Sequence, residues 1–194
     1  MSFKFASNVI ETSDYCSTYS EGELSILYWR DLVFSTCVSM LLEKVTIDET
    51  TRTYNKSSLI RYLQNAYKMN AKISLCFFDV DNFKLINDKF GHLTGDKILA
   101  DLCSFIKTKV NSKFTLFRFG GDEFVITNTE NSIEEFSNFT NEIICKLHSH
   151  TFSNDIKIKL SYGISNSVQS KNYIDLIENA DSAMRKMKSA TKLI

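Results

Sequence analysis

The chain has 194 residues, 43% of them hydrophobic and 24% charged, with 23 Lys+Arg against 23 Asp+Glu. That length fits one domain with a short appendage, and a formal charge of zero argues against a broadly basic nucleic-acid binder or an acidic disordered tail. Proline is absent altogether, which removes polyproline ligands, Pro-rich linkers and cis-proline loops.

Residues 1–20 are polar, rich in Ser and Thr, and lack both a clear period and the apolar core of a signal peptide. Glu21 to Lys44 reads as a helix, with Leu24, Leu27, Asp31, Phe34, Val38, Leu41 and Val45 recurring at steps of three and four. Ile26, Trp29, Val33 and Met40 form a second apolar face. The seam fits a helix that pairs with a copy of itself, and it equally fits one that lies on its own domain. The longest uncharged run, Leu32 to Leu42, has 11 residues, well short of the roughly 20 that a membrane span needs. No membrane contact is expected. Thr46 to Asn55 reads as a linker or turn, and Ser57 as the cap of a helix over Ser58 to Met69. Lys72 to Val80 is a nearly continuous apolar run, the pattern of a central strand.

Asn82 to Lys89 reads as a short helix, Gly91 and Gly95 as the brackets of a turn, and Asp96 to Val110 as a longer helix. Phe114 to Phe119 and Glu123 to Thr127 read as strands joined around Gly120-Gly121. A helix over Ser132 to His148, a strand over Ile156 to Ser165 and a helix over Tyr173 to Lys188 complete the chain. From Lys72 the order is β-α-α-β-β-α-β-α. Cys37, Cys76, Cys103 and Cys145 lie among apolar residues and are expected to be buried thiols; with Cys16 they form no Cys-x-x-Cys pair. A zinc or redox motif has no support, and a reduced cytoplasm is the simplest compartment.

Three features carry chemistry. Asp79-Val80-Asp81 ends an apolar strand, where carboxylates reach solvent. Gly120-Gly121-Asp122-Glu123 puts two acids directly after two small residues. Arg185, Lys186, Lys188 and Lys192 form a basic cluster near the C-terminus. Each has a plainer reading alone: a helix cap, a turn, a complement to the helix dipole. Together, Asp79 and Asp122 would make a hard oxygen site for Mg²⁺, with the basic residues answering phosphate.

The combination resembles a known family. Arg118-Phe119-Gly120-Gly121-Asp122-Glu123-Phe124 reads as the GGDEF signature of diguanylate cyclases, and Asp79 through Asp96 matches that family's Asp-x-Asp-x-Phe-Lys-x-x-Asn-Asp-x-x-Gly-His-x-x-Gly-Asp block without a gap. The resemblance covers about residues 46–194, leaving 1–45 as a helical lead. It implies an α+β palm-like domain with a mostly antiparallel sheet flanked by helices. The implied reaction joins two GTP into cyclic di-GMP and releases two pyrophosphates, with two Mg²⁺ or Mn²⁺ ions per site. Two domains must face each other, so a homodimer, even a transient one, is implied, formed through the N-terminal helix, the facing sites or both. By the same resemblance, Asp79, Asp122 and the Val80 carbonyl are metal ligands, and Glu123 sits beside the reacting centre. Asn82, Phe83, Lys84, Lys188 and Lys192 meet phosphates, Asn87 and Asp96 read guanine, and Gly120 and Gly121 let the nucleotide approach.

The sequence also departs from the family pattern. Lys192 stands where the family has arginine, which keeps the charge and loses the bidentate fork. The opening Asp-x-Leu-Thr-Gly-Leu-x-Asn-Arg motif is here Asp48-Glu49-Thr50-Thr51-Arg52-Thr53-Tyr54-Asn55-Lys56. The inhibitory Arg-x-x-Asp of many members is absent, Asn111-Ser112-Lys113-Phe114 standing there instead. A catalytically silent module that binds GTP or a protein partner is the alternative reading, and a separate regulatory protein acting on the N-terminal helix fits either.

Overall fold

The computed structural model describes residues 21–129 and 132–191, and the side chains of 21–28, 43, 44, 154 and 191 are not described. The polar segment 1–20, Cys16 and Lys192 therefore lie outside the described residues, as do the side chains of Leu24, Ile26 and Leu27. The chain divides into two compact units, residues 1–43 and 44–194.

The first unit contributes most of helix α1 (Glu21–Thr46), slightly longer than its periodicity predicts. Its described seam is exposed: Phe34 is 70% and Leu41 62% accessible, and Trp29, Val33 and Met40 on the second face are also exposed. Among the described residues, no helix is long and apolar enough to cross a membrane.

The second unit follows the order expected from its periodicities: α2 (Lys56–Lys68), β1 (Ser74–Val80), α3 (Phe83–Phe90), α4 (His92–Lys109), β2 (Phe114–Arg118), β3 (Glu123–Asn128), α5 (Ile133–Ser149), β4 (Leu160–Asn166) and α6 (Tyr173–Thr191). The strands form one antiparallel sheet in the order β2-β3-β1-β4. This is the expected α+β architecture. Central β1 is buried at every position, as its nearly continuous apolar run predicts, and its side chains alternate between two cores. Cys76, Phe78 and Val80 join Leu99, Leu102, Phe136 and Leu147 of α4 and α5. Leu75 and Phe77 join Leu59 and Leu63 of α2 and Leu176, Ala180 and Met184 of α6.

Several boundaries differ from the sequence reading for identifiable reasons. Asn55, not Ser57, caps α2, its Oδ1 accepting the Ser58 N–H at 3.0 Å. Ser58 instead turns its hydroxyl to the Thr46 carbonyl, 2.8–2.9 Å being an ordinary length for such a bond and 2.9 Å the value here. The supposed linker is an ordered turn that lies on the free edge of β2: Tyr54 N–H donates to the Leu116 carbonyl and Arg118 N–H to the Tyr54 carbonyl. An unpaired edge is thereby covered. Gly91, at φ 83°, makes the sharp junction between α3 and α4, so α4 begins at His92 and Gly95 lies inside it. β4 starts four residues later than expected because Ile156 to Lys159 runs extended without joining the ladder. Ser132 caps α5 in a reciprocal capping box with Glu135. Among the described residues only the Cys76 and Cys103 thiols are buried, and burial pushes both up, Cys103 to about 12; Cys37 and Cys145 are exposed, correcting the expectation for those two.

Helix α6 touches the sheet backbone itself. A Cβ on Gly163 of β4 would stand 2.1 Å from the Ala180 carbonyl and 2.4 Å from the Met184 nitrogen. Backbone cannot yield as a side-chain tip can, so Gly163→Val should destabilise the domain by about 1–3 kcal/mol, read as a lower urea midpoint. An unchanged midpoint would contradict this packing.

Candidate active site

Strand parity and register assemble the acidic cluster. Asp79 shares parity with Leu75 and Phe77, so it faces α6 rather than α4. In the β1–β3 pairing it stands directly opposite Glu123. Val80, fully buried, donates its N–H to the Asp122 carbonyl at 3.2 Å, which draws the β2–β3 loop onto the end of β1. Asp79 is only 7% exposed. Its Oδ1 accepts a short hydrogen bond from the Lys188 ammonium of α6. Asp81, just past the strand, accepts from the Ser161 hydroxyl at 2.7 Å.

The electrostatics of this cluster run one way. Burial pushes the Asp79 carboxyl up, and neighbouring Asp122 and Asp81 push it further, against the hydrogen bond from Lys188. Burial likewise raises Glu123, followed by the fields of Asp79, Asp122 and Asp181. Burial is the largest influence on Lys188 and lowers it; Asp79, Asp81 and Asp122 together outweigh it and hold the ammonium above its ordinary value. Asp79 is raised first by burial and then by its acidic neighbours, and Lys188 by those neighbours against burial; Asp79, Asp81 and Asp122 outnumber the ammonium bound among them. That surplus suits a hard divalent cation. Among the described residues no three His, Cys, Asp or Glu side chains already stand as a ligand set. An ion here would draw on two carboxylates and backbone oxygen, and Asp79 would exchange an ammonium for it.

A second group forms at the α3–α4 junction. The Asn87 Oδ1 is buried without a hydrogen-bond partner, an orphaned acceptor of the kind that normally finds a donor. Gly95 packs so close that a Cβ there would stand 1.9 Å from that oxygen. Asp96 follows just past the first turn of α4, exposed. An amide oxygen and a neighbouring carboxylate suit a ligand edge rich in N–H donors. Three more of the expected residues lie at the start of α3. Asn82 adopts the left-handed conformation, φ 58°, and caps α3. Phe83 packs on the core, whereas Lys84 is exposed and stands outside the acidic cluster.

The glycine pair works differently from a two-residue hairpin. Residues 119–122 form the connection, and neither Gly120 nor Gly121 has a positive φ. A Cβ at Gly120 would stand 2.5 Å from a Glu123 carboxylate oxygen, whereas nothing lies within 4 Å of one at Gly121. The loop is held by Arg118, whose guanidinium donates to the carbonyls of Gly120 and Gly121 and to Asp48 at 2.9 Å. Asp48 also accepts from the Thr51 N–H and hydroxyl.

Residues 45–192 match the family described as diguanylate cyclase, GGDEF domain. The chain belongs to that family. Among similar proteins, diguanylate cyclase DgcS of Shewanella oneidensis is 30% identical over 139 residues, 72% of this chain and 47% of that protein. Diguanylate cyclase DosC of Escherichia coli is 33% identical over 149 residues, 73% of this chain and 32% of that protein. The chain thus spans about half or less of the length of these relatives. In fold it resembles the coiled coil and GGDEF domain of DgcB from Caulobacter crescentus in complex with c-di-GMP, with TM-score 0.80 and 22% identity over 88% of this chain and 94% of that one. It also resembles diguanylate cyclase SiaD of Pseudomonas aeruginosa in complex with its activator SiaC, with TM-score 0.69 and 18% identity over 87% and 68% of the two chains.

Against the GGDEF pattern, the altered opening motif still forms its turn. Asp48 N–H donates to the Thr53 carbonyl, and Arg52 takes φ 54° where the pattern has glycine. That conformation costs a non-glycine residue about 1–2 kcal/mol, and Lys107 binds the Arg52 carbonyl at 2.8 Å to hold it. The Asp48–Arg118 pair joining this turn to the signature loop lies beyond what the motif spacing alone conveys.

Burial alone would raise the Asp48 carboxyl; the hydrogen bonds from Thr51 and Arg118 outweigh it and hold the group below its ordinary value. A depressed carboxylate pKa contributes stability present above the unfolded value of about 4 and lost as pH falls through the folded value. The wild-type melting temperature should therefore fall more steeply between pH 5 and pH 3 than that of Asp48→Asn. Parallel curves would remove Asp48 from the acid-sensitive groups.

Proposed function

We propose that residues 46–194 are a diguanylate cyclase domain that joins two GTP into cyclic di-GMP, and that residues 1–45 are a helical lead that brings two such domains together. The observation that carries this reading is the convergence of Asp79, Asp122 and Glu123 at one end of the sheet, with the Lys188 ammonium bound to Asp79. It is the arrangement needed to bring a metal–triphosphate to the end of a strand.

In the proposed reaction each ribose 3′-oxygen bonds to the α-phosphorus of the other GTP. The bond from that phosphorus to the bridging oxygen breaks, and pyrophosphate leaves. Mg²⁺ or Mn²⁺, two ions per site, would polarise the α-phosphate and stabilise the attacking and leaving oxygens. Asp79, Asp122 and the Val80 carbonyl are the donors for it. Asp79 releases the Lys188 ammonium in doing so, and that ammonium turns to phosphate, joined by Lys84, Lys192 and the backbone N–H groups of Asn82 and Phe83. Glu123, opposite Asp79 in the strand pairing, stands beside the reacting centre, where a carboxylate can assist removal of the 3′-hydroxyl proton. Asn87 and Asp96 read guanine: carboxylate and amide oxygens accept from its N1–H and amino group, a pattern adenine lacks. Gly121 leaves open space for the nucleotide.

One domain holds one GTP, so two must face each other. The exposed apolar seam of α1 suits either self-pairing or an activator protein. Reduced thiols and the nucleotide substrate fit a cytoplasmic setting. A silent GTP-binding module is the competing reading, and turnover separates the two.

Purified chain with GTP and Mg²⁺ should yield cyclic di-GMP, with specific activity rising with protein concentration through the dimerisation range. Asp122→Ala should lower turnover at least about a hundredfold. GTP binding without product at high protein concentration would establish the silent module instead.

A further inference from the structure

The segment before β4 reads Ile156-Lys157-Ile158-Lys159-Leu160. Ile156, Ile158 and Leu160 are buried in the α4/α5 core, and the two lysines stand exposed on the opposite side. In an extended chain, residues two apart share a face and lie about 7 Å from each other. The segment is pinned from both sides. Asp81 N–H donates to the Lys159 carbonyl at 2.9 Å, and Leu160 N–H donates to His148 Nε2 at 3.1 Å. The lysine pair is thus tied to the loop that follows Asp79.

Between this segment and α3 runs a trough of about 600 Å³. Its inner end is lined by Asp81, Asn82 and Lys188, so it opens directly onto the acidic cluster. Lys157, Lys159 and Lys89 line the rest, and Leu85, Ile86 and Phe90 of α3 form an apolar wall. The Lys89 ammonium lies 5.0 Å from the centroid of the Phe90 ring. None of these three lysines forms an ion pair among the described residues, and the one lining carboxylate, Asp81, is engaged by Ser161. The trough therefore carries a net positive charge beside a site of net negative charge.

We propose that this trough binds a polyphosphate chain, with Lys157 and Lys159 as its cationic wall. The identity of the ligand rests on the cyclase reading, whereas the binding itself does not need turnover. Lysines are point-charge phosphate binders, and two on one face of an extended segment match a ligand whose charge is spread along a chain. The apolar wall lowers the local dielectric and strengthens the attraction. The trough begins where the triphosphate of a bound nucleotide would end. Its occupant is either the tail of GTP or the pyrophosphate set free by the reaction, and both present linked phosphates.

Calorimetric titration with inorganic tripolyphosphate, without metal or nucleotide, tests the proposal on the whole chain. The wild type should bind, more weakly as salt rises. The double variant Lys157→Gln/Lys159→Gln should bind at least tenfold more weakly with an unchanged melting temperature. Equal binding by the two proteins, or no binding by the wild type, overturns the proposal. Titrations with GTP, GMP and pyrophosphate in the presence of Ca²⁺ then separate the sources. A tenfold loss for GTP with GMP unchanged assigns the trough to the substrate tail, and a loss confined to pyrophosphate assigns it to the leaving group. Asp122→Ala should retain tripolyphosphate binding. Failure of the cyclase reading would leave the first titration positive, and failure of the trough would leave cyclic di-GMP synthesis intact.

Discussion

Two carboxylates, Asp79 and Glu123, stand opposite each other across an antiparallel strand pair. Like charges in that position repel, and partial burial removes the water that would soften the repulsion. The fold tolerates the pair because α6 brings Lys188 onto Asp79 from the other side of the same face. The sheet supplies the confrontation and the helix supplies the counterion. One lysine does not cancel the group, and the unbalanced remainder is what makes this end of the sheet receptive to a cation.

The parts of this arrangement that depend on period were legible in the sequence. The nearly continuous apolar run over Lys72 to Val80 read as a central strand, and the order of the helices and strands that follow it was readable too. The signature loop and the Asp79 to Asp96 block resembled one family closely enough to single out the acidic residues and the Asn87 and Asp96 positions. What escaped was set by contacts distant in sequence. Asn55 caps α2, its side chain accepting from Ser58 N–H and donating back to the Val45 carbonyl ten residues earlier. Cys145 falls on the exposed side of its helix although its sequence neighbours are apolar. The Asp48–Arg118 pair joins residues 70 positions apart. The Ile-Lys-Ile-Lys-Leu alternation was readable as a strand edge, but only the hydrogen bond from Asp81 to Lys159 shows what the lysines stand beside.

The turn over residues 48–55 illustrates how a motif can change its letters and keep its shape. Its hydrogen bonds come from Asp48, Thr51, Asn55 and the backbone, so replacement of the intervening apolar residues leaves them intact. The cost falls on Arg52, which adopts a conformation suited to glycine, and Lys107 from α4 binds its carbonyl. Stability lost locally is offset by a contact from another helix.

Gly163 has a bearing on chemistry far from its own position. Because α6 rests on strand backbone there, any side chain at 163 would push the helix axis away from the sheet. Lys188 follows Met184 by one helical turn, so the same contact bears on how far its ammonium stands from β1. The lysine side chain spans that gap to reach Asp79. The absence of a single methyl group on one strand thus sets the reach required of a charged group on the facing helix, and position 188 inherits its choice of residue from position 163.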